Sequence, residues 1–491
     1  MSVEAAVKPT TEYEVIIGLE IHAELLTDAK VFCGCSTKFG AEPNTQICPV
    51  CLGLPGTLPV LNRKAVEYAI KAGLALNCEI APMARFDRKH YFYPDLPKAY
   101  QITQYAEPLC RHGYVEFELN GETRRVRIRH IHLEEEAGKL QHAGDRLMEA
   151  EYSLVDYNRG GIPLIEIVTE PDIRSPEEAR VFLETLRSIL RYAGVSDCKM
   201  EEGSLRCDAN ISLRPKGSTT FGNKAEVKNL NSFRAVQRAL EYEVRRQAEL
   251  LDRGEQPAAE TRHWDEARGV TVAMRSKGEE DDYLYMPEPD IPWLKVDREW
   301  VERLRAELPE LPRAKMQRFM TQYGLPAYDS GVLTAEPAIA DFFEACVAVY
   351  NKPKTVSNWI MVEFLRLLRE DGREVSEVAL TPQGLAELLG LIDKGVISGT
   401  IAKEVFEEMF RTGKSAAAIV RERGLEQISD EAQLAAVVDE VIAENEDAAA
   451  KVRAGEMKTL GFLVGQVMKK TQGKANPKLV NELLRARLVK E

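Results

Sequence analysis

The 491-residue chain lacks any apolar run of the ~18 residues needed to cross a membrane as a helix. Its opening stretch, MSVEAAVKPTTEYEV, has neither the apolar core of a secretion signal nor the arginine-rich, acid-poor look of a transit peptide. These absences predict a cytoplasmic protein with no membrane partner. Positive charge is also in deficit. The formal net charge of −13 argues against a general nucleic-acid binder. Three nucleotide and metalloprotease signatures are missing: there is no G-x-x-x-x-G-K-[ST], no G-x-G-x-x-G and no H-E-x-x-H. Gly413-Lys414-Ser415 resembles the end of a phosphate loop, but Glu408 stands where that loop needs glycine. No Ser-His-Asp or Cys-His pairing can be read from spacing. The nine cysteines are an odd number, and five of them (Cys78, Cys110, Cys198, Cys207, Cys346) are scattered. In a reducing compartment these are ordinary thiols, often buried.

The other four cysteines are not scattered. Cys33 and Cys35 form C-x-C, Cys48 and Cys51 form C-x₂-C, and twelve residues separate the pairs. Two close thiolate pairs on turns can complete a tetrahedral Zn²⁺ site, and four ligands leave no open position for chemistry. The alternative is four unligated thiols at turns. A closed Cys₄ site is structural and says little about reaction.

The carboxylates say more. In EVIIGLEIHAEL, Val15, Ile17, Leu19 and Ile21 point one way, and Glu20 and His22 share the other face ~6.5–7 Å apart along the strand. His130, His132, Glu134, Glu135 and Glu136 close the stretch RHIHLEEEAGK, and Glu166 interrupts the apolar IPLIEIV. A charge in such a strand is costly unless paired or metal-bound. Singly, each has a bland account as an edge residue, a surface acid or a satisfied core histidine. Together, histidine and acids on adjoining strands suit a hard cation such as Mg²⁺. In RCDANISLR, Arg206, Asp208, Asn210 and Ser212 form a continuous polar face that suits a lined cleft. RKHYFYPDLPKAYQITQY interleaves Arg88, Lys89 and Lys98 with Tyr91, Tyr93 and Tyr100. That mixture suits phosphates and bases, or equally a structural aromatic cluster.

Alternating stretches and helices share the first ~290 residues, and helical periodicity dominates afterwards. Asn120-Gly121 between two alternating runs predicts a tight hairpin. Ser175, Pro176 and Gly194 bracket a predicted helix, and another is predicted from about Asn231-Ser232 to Gly254. The expected organisation is residues 1–293 as an α/β domain, 294–410 as an all-α helical domain and 411–491 as a small all-α tail. Charge divides the C-terminal part further. Ser376–Ala450 holds 15 acidic and 6 basic residues, a balance of −9, whereas Lys451–Glu491 holds 10 basic and 3 acidic, a balance of +7. A basic unit on an acidic protein suits an RNA-contacting tail, or a solvated helical surface.

GLEIHAEL, RKHYFYPDLPKAYQIT, HLEEEAGK, DYNRGGIPLIEIVTEPD, MEEGSLRCDANISLR, EVKNLNSF and GFLVGQVMKKTQGKANPKLVNELL occur in order over nearly the whole chain. In these stretches the sequence resembles the GatB family, the B subunits of the tRNA-dependent amidotransferases. The resemblance implies a cradle-shaped α/β domain with a mixed, largely antiparallel sheet, then a helical domain and a helical tail. It implies a bacterial heterotrimer with an amidase (glutaminase) subunit, which releases ammonia from glutamine, and a small third subunit. It implies ATP-dependent phosphorylation of the side-chain carboxylate on misacylated Glu-tRNA(Gln) or Asp-tRNA(Asn), followed by attack of ammonia. Carried over by position, Glu20, His22, Glu135 and Glu166 match the family's Mg²⁺ site. Glu201, Glu202, Arg206, Asp208, Asn210 and Lys228 match pocket positions, with Arg206 and Lys228 expected on phosphates and Asp208 near metal or substrate. Lys469, Lys470, Lys474 and Lys478 fall in the tRNA-contacting tail. Three positions depart from the family pattern: His90 where Asn is common, and Leu284 and Met286 in DYLYMPEPDIP where Arg and Phe are usual. Some members lack the four cysteines, so chemistry common to the family cannot depend on them.

Two other readings compete. A non-enzymatic, zinc-containing RNA-binding protein explains the cysteines and the tail but leaves the acids unused. A metal-dependent phosphohydrolase uses the acids but leaves the tail without purpose.

Overall fold

The computed structural model describes residues 12–143, 152–276, 283–426, 431–471 and 473–489. The chain forms two compact units, Met1–Arg313 and Ala314–Glu491.

Alternation in the sequence becomes a nine-stranded sheet in the first unit. Its strands are β1 (Tyr13–Glu24), β2 (Glu79–Ile80), β3 (Cys110–Leu119), β4 (Glu122–Glu135), β5 (Pro163–Thr169), β6 (Leu205–Pro215), β7 (Ala225–Lys228), β8 (Glu260–Asp265) and β9 (Val270–Ser276). In space they run β9-β8-β7-β6-β1-β5-β4-β3-β2. All neighbours are antiparallel except β7 and β8. A parallel pair needs a crossover, and helix α3 (Phe233–Asp252) lies between these strands in sequence. The sheet is therefore mixed and largely antiparallel, as expected.

Helices α1 (Arg63–Ala75), α2 (Pro176–Tyr192) and α3 share one apolar core with this sheet. Ile17, Leu19, Ile21 and Ala23 of β1 belong to that core and are at most 1% exposed. Period-two alternation then puts Glu20 and His22 on the opposite face. Helix α1 lies so close that a Cβ on Gly73 would fall 2.5 Å from the Cys110 sulfur. The predicted local signals are all present. Asn120 and Gly121 have φ of 53° and 81° between β3 and β4, which a tight primed turn requires. Ser175 accepts the Glu178 N–H at the start of α2, and Ser232 accepts the Ala235 N–H at the start of α3.

A smaller sheet stands beside the large one, formed by Leu284–Pro287, Asp87–His90 and Tyr100–Thr103 in that spatial order.

The second unit is built from helices. Phe342, Phe364, Phe406 and Phe410 anchor part of its interior, with the rings of Phe342 and Phe364 stacked at 4.7 Å. Gly413 ends helix Gly399–Thr412 in a left-handed cap, and Ser415 caps the next helix by accepting the Ala418 N–H. The phosphate-loop look-alike is thus a corner between helices. Further on, Leu434, Val438, Leu463, Val467 and Leu484 join helices Glu431–Glu444, Leu460–Lys470 and Pro477–Leu488 in one core. The last stretch of negative balance and the stretch of positive balance fold together.

Candidate active site

The face of the large sheet turned away from the three helices is a continuous polar floor. Register builds it. His132 of β4, Glu166 of β5, His22 of β1 and Arg206 of β6 lie opposite one another across four neighbouring strands. One step along, Glu20 pairs with Asp208. Asn210 pairs with Glu226 of β7 one step further. Residues far apart in sequence meet because each strand contributes the same parity to this face.

At the centre are His22, Glu134 and Glu166, whose ligand atoms all lie within 4.8 Å of one another. The His22 Nε2 is 3.5 Å from Glu166 Oε2 and 3.7 Å from Glu134 Oε1. The His132 Nε2 is 3.3 Å from both Glu134 and Glu166. Burial works against charge on both imidazoles, but Glu166 and Glu134 outweigh it, and His132 rises to about 10. Burial would likewise raise Glu166, but His132 and His22 hold it well below the ordinary carboxylate range. Acids further from the histidines behave oppositely. Burial, then Glu166, pushes Glu20 up; burial, then Glu136, pushes Glu24 up to about 7. Two buried polar atoms on this floor, His132 Nδ1 and Asn210 Oδ1, have no hydrogen-bond partner in the protein. The two carboxylates and the imidazole of the central cluster form a donor set suited to a hard divalent cation.

The structure brings His22 and Glu166 together with Glu134, sets Glu20 two residues along the same face, where Asn210 holds it, and places Glu135 elsewhere. Glu135 points to the other face of β4. There it takes the Lys98 ammonium on both oxygens, at 2.6 Å on Oε2, and accepts the Ile102 N–H at 2.8 Å. Alternation gives the reason: Glu134, not Glu135, has the parity of His132. Thr103 donates to Glu134 at 2.9 Å and fixes that carboxylate. Counting in twos from His132 would have selected Glu134.

Arg206 pairs with Glu136, and Lys228 bridges Asp208 at 2.6 Å and Glu226 at 2.8 Å. The Asn210 amide donates to Glu20 at 2.9 Å. Glu201 and Glu202 lie in the exposed turn before β6, where Glu202 pairs with Lys199 at 3.0 Å. They stand outside the floor. Beyond Glu20, a cavity of about 240 Å³ opens between β5, β1 and β6, lined by Gly18, Arg129, Asn210, Phe221 and Lys224.

The four clustered cysteines converge as well, with their sulfurs all within 4.8 Å of one another. This arrangement can hold one metal ion. The Lys30 ammonium, fully buried, lies 3.8 Å from the Cys51 sulfur, and the Cys48 N–H is 3.2 Å from it. Hydrogen bonding from Cys33 leads the lowering of the Cys51 thiol to about 4. One thiolate is thus already stabilised without a metal.

Residues 15–302 match the GatB/GatE catalytic domain family, and residues 341–488 match the GatB domain family. A protein of Caldanaerobacter subterraneus subsp. tengcongensis, named as the B subunit of an aspartyl/glutamyl-tRNA(Asn/Gln) amidotransferase, is 61% identical over 98% of this chain and 100% of its own length. Proteins of the same name from Carboxydothermus hydrogenoformans and Thermoanaerobacter sp. are 58% and 59% identical over 98% of this chain and 99% and 100% of theirs. The chain belongs to the GatB family of amidotransferase B subunits. All three departures from the usual GatB pattern map to the small sheet. Leu284 lies opposite His90, whose ring nitrogen is 3.2 Å from the Leu284 carbonyl oxygen, and Met286 lies opposite Arg88. In the part matched by the GatB domain, Lys469 and Lys478 are exposed and Lys474 is half-buried. Lys470 instead bonds to Glu440 at 2.8 Å and Glu444 at 2.6 Å. Among the described residues no helix is long and apolar enough to cross a membrane.

Proposed function

We propose that this chain is the subunit of a tRNA-dependent amidotransferase that activates the side-chain carboxylate of Asp or Glu on misacylated tRNA. The single observation that carries this reading is the His22–Glu134–Glu166 cluster, set in an acid-rich floor. A carboxylate is a poor electrophile because its oxygen is a poor leaving group. Transfer of the γ-phosphoryl group of ATP to that oxygen gives an acyl phosphate and ADP. Ammonia then attacks the carbonyl carbon, and phosphate leaves. Such a reaction needs positioning and charge neutralisation rather than covalent catalysis.

His22, Glu134, Glu166 and Glu20 would hold Mg²⁺. The ion supplies charge neutralisation for phosphoryl oxygens. His132 orients Glu134 and Glu166 by bonding to both. Asn210 orients Glu20. Arg206 and Lys228, now engaged by Glu136, Asp208 and Glu226, stand ready to share their charge with the phosphates of ATP. The cavity with Lys224 and Arg129 has the size and charge to take part of the nucleotide. Cys33, Cys35, Cys48 and Cys51 would hold a structural Zn²⁺ that braces their loop. Ammonia comes from a separate amidase subunit in a cytoplasmic heterotrimer completed by a small third chain. The tail, residues 411–491, contacts tRNA through Lys469, Lys474 and Lys478 more than through Lys470, whose ammonium is already held by two acids.

ATP turnover by the assembled complex tests the reading. It should depend on misacylated tRNA. Turnover that ignores the charged tRNA would favour a phosphohydrolase, and no turnover would favour a plain RNA-binding protein. For the tail, Lys469→Glu with Lys478→Glu should raise KM for tRNA by roughly five- to tenfold and flatten its salt dependence, because phosphate contacts release counterions. An unchanged KM at low and high salt would leave the tail without a binding role.

A further inference from the structure

Apart from Thr103, which fixes Glu134, the basic and aromatic stretch RKHYFYPDLPKAYQITQY has no part in the chemistry above, yet the fold places it at the edge of the site. In the small sheet Lys89 lies opposite Tyr285 on one side and Gln101 on the other. Alternation puts Lys89, Tyr285, Gln101 and Thr103 on one face, with Tyr91, Tyr283 and Tyr105 continuing the same parity beyond the strand ends. Thr103 is the residue that donates to Glu134. The tyrosine-bearing face therefore adjoins the carboxylate cluster.

The rings are ordered. Tyr105 and Tyr285 stack with centroids 3.9 Å apart and planes at 15°. Tyr91 and Tyr283 meet at 5.5 Å, and the Lys89 ammonium sits 4.6 Å from the Tyr283 ring. The Asp87 carboxylate accepts the N–H groups of Tyr105 and Ala106 at 3.0 and 3.1 Å, which fixes the turn that carries Tyr105. Tyr105 remains 63% exposed and Tyr283 41% exposed. Large rings left open to water, in pairs, with a cation at their edge, form platforms rather than core.

We infer that this tyrosine wall receives the unpaired 3′-terminal nucleotides of the tRNA, with bases stacked on Tyr105 and Tyr283 and Lys89 near the connecting phosphates. This rests on the function proposed above. Single-stranded RNA is bound by such aromatic and cationic ledges because every base has a stacking face. Two ring pairs suit two successive bases, whereas a mononucleotide has one. The cavity lined by Arg129 and Lys224 lies past Glu20, so the floor has a separate place for a mononucleotide. An amino acid esterified to the last ribose would then reach from the wall toward Glu134. Leu284 and Met286 have the opposite parity, so these departures from the family pattern leave the tyrosine face as it is.

The test uses the full-length chain and a short RNA hairpin ending in a four-nucleotide 3′ tail, with 2-aminopurine as the last base. The same hairpin without the tail is the reference. The unmodified chain should bind the tailed RNA about tenfold or more tighter than the blunt one and quench the fluorophore. Tyr105→Leu and Tyr283→Leu should each weaken tailed RNA by about five- to tenfold and restore fluorescence, with blunt RNA and ATP bound as before. Tyr105→Phe, which keeps the ring, should keep both the quench and the affinity. Leucine variants that bind and quench tailed RNA like the parent overturn the assignment, as does a loss confined to ATP. If the parent itself shows no preference for the tail, the tRNA-based function fails, and this assignment fails with it.

Discussion

The first unit contains two groups of converging ligand atoms, and they are built in opposite ways. The four cysteine sulfurs come from one nineteen-residue stretch, Cys33 to Cys51, and their spacing alone announces them. His22, Glu134 and Glu166 come from three strands and meet only because β1, β5 and β4 pair in one register. The local group is placed to clamp a loop if it takes a metal ion. The long-range group sits where the sheet must be complete before any site exists. Chemistry placed on register is tied to the integrity of the whole sheet, whereas the four sulfurs all come from one short stretch of chain.

Breaking each group should therefore fail differently. Glu166→Gln keeps the shape of β5 but removes the charge facing two imidazoles. It should lower tRNA-dependent ATP turnover by about a hundredfold or more while the complex still hydrolyses glutamine. Turnover near the parent level would remove Glu166 from the mechanism. Comparing Glu134→Gln with Glu135→Gln sharpens the contrast within one strand. The first should cost activity almost as much as Glu166→Gln. The second should act mainly on stability, by ~2–4 kcal/mol, because it leaves the Lys98 ammonium nearly buried without its carboxylate. Thermal unfolding and ATP turnover read the two apart, and the reverse assignment of losses would show that Glu135 belongs to the chemistry.

Cys48→Ser should lower the zinc content of the purified protein well below one equivalent and reduce stability by about 1–3 kcal/mol. The chemical step should slow less than about threefold. Metal analysis with single-turnover kinetics decides it, and an activity loss as large as that of Glu166→Gln would merge the two groups into one function. The smallest effect is expected at Lys30, whose ammonium offsets thiolate charge beside Cys51. Lys30→Met should weaken zinc by about tenfold, read by chelator competition, and leave ATP turnover unchanged.

What could be read from the sequence follows the same division. The hairpin at Asn120-Gly121, the caps at Ser175 and Ser232 and the cysteine clamp are encoded within a few residues, so local rules find them. Glu20, His22 and Glu166 are found by alternation because each stands among apolar neighbours. Glu134 is harder, because it stands among three consecutive glutamates and the sequence does not show that His132 faces the floor; once it does, counting in twos selects Glu134. The pairing of Glu166 with His132 settles the phase. The Thr103 hydroxyl that holds Glu134 lies 31 residues away on a separate sheet, and no local signal points to it. The tail shows the converse. Its charge asymmetry is plain in composition, but folding spends part of it internally, where Lys470 meets Glu440 and Glu444 and Arg487 meets Asp439.

The position of β1 has a further consequence for how this chain is made. It leaves the ribosome before either of its neighbours, because β5 and β6 both lie far downstream, with Glu24 pairing Leu164 and Ala23 pairing Leu205. At a synthesis rate of ~5–20 residues per second, about 140 residues must be added before the first of those partners exists. For roughly 7–28 seconds at those rates, Ile17, Leu19 and Ile21 have neither neighbouring strand to pair with. During that interval the nascent segment depends on chaperones, or on transient contact with the early helix α1, to avoid pairing with another copy of itself.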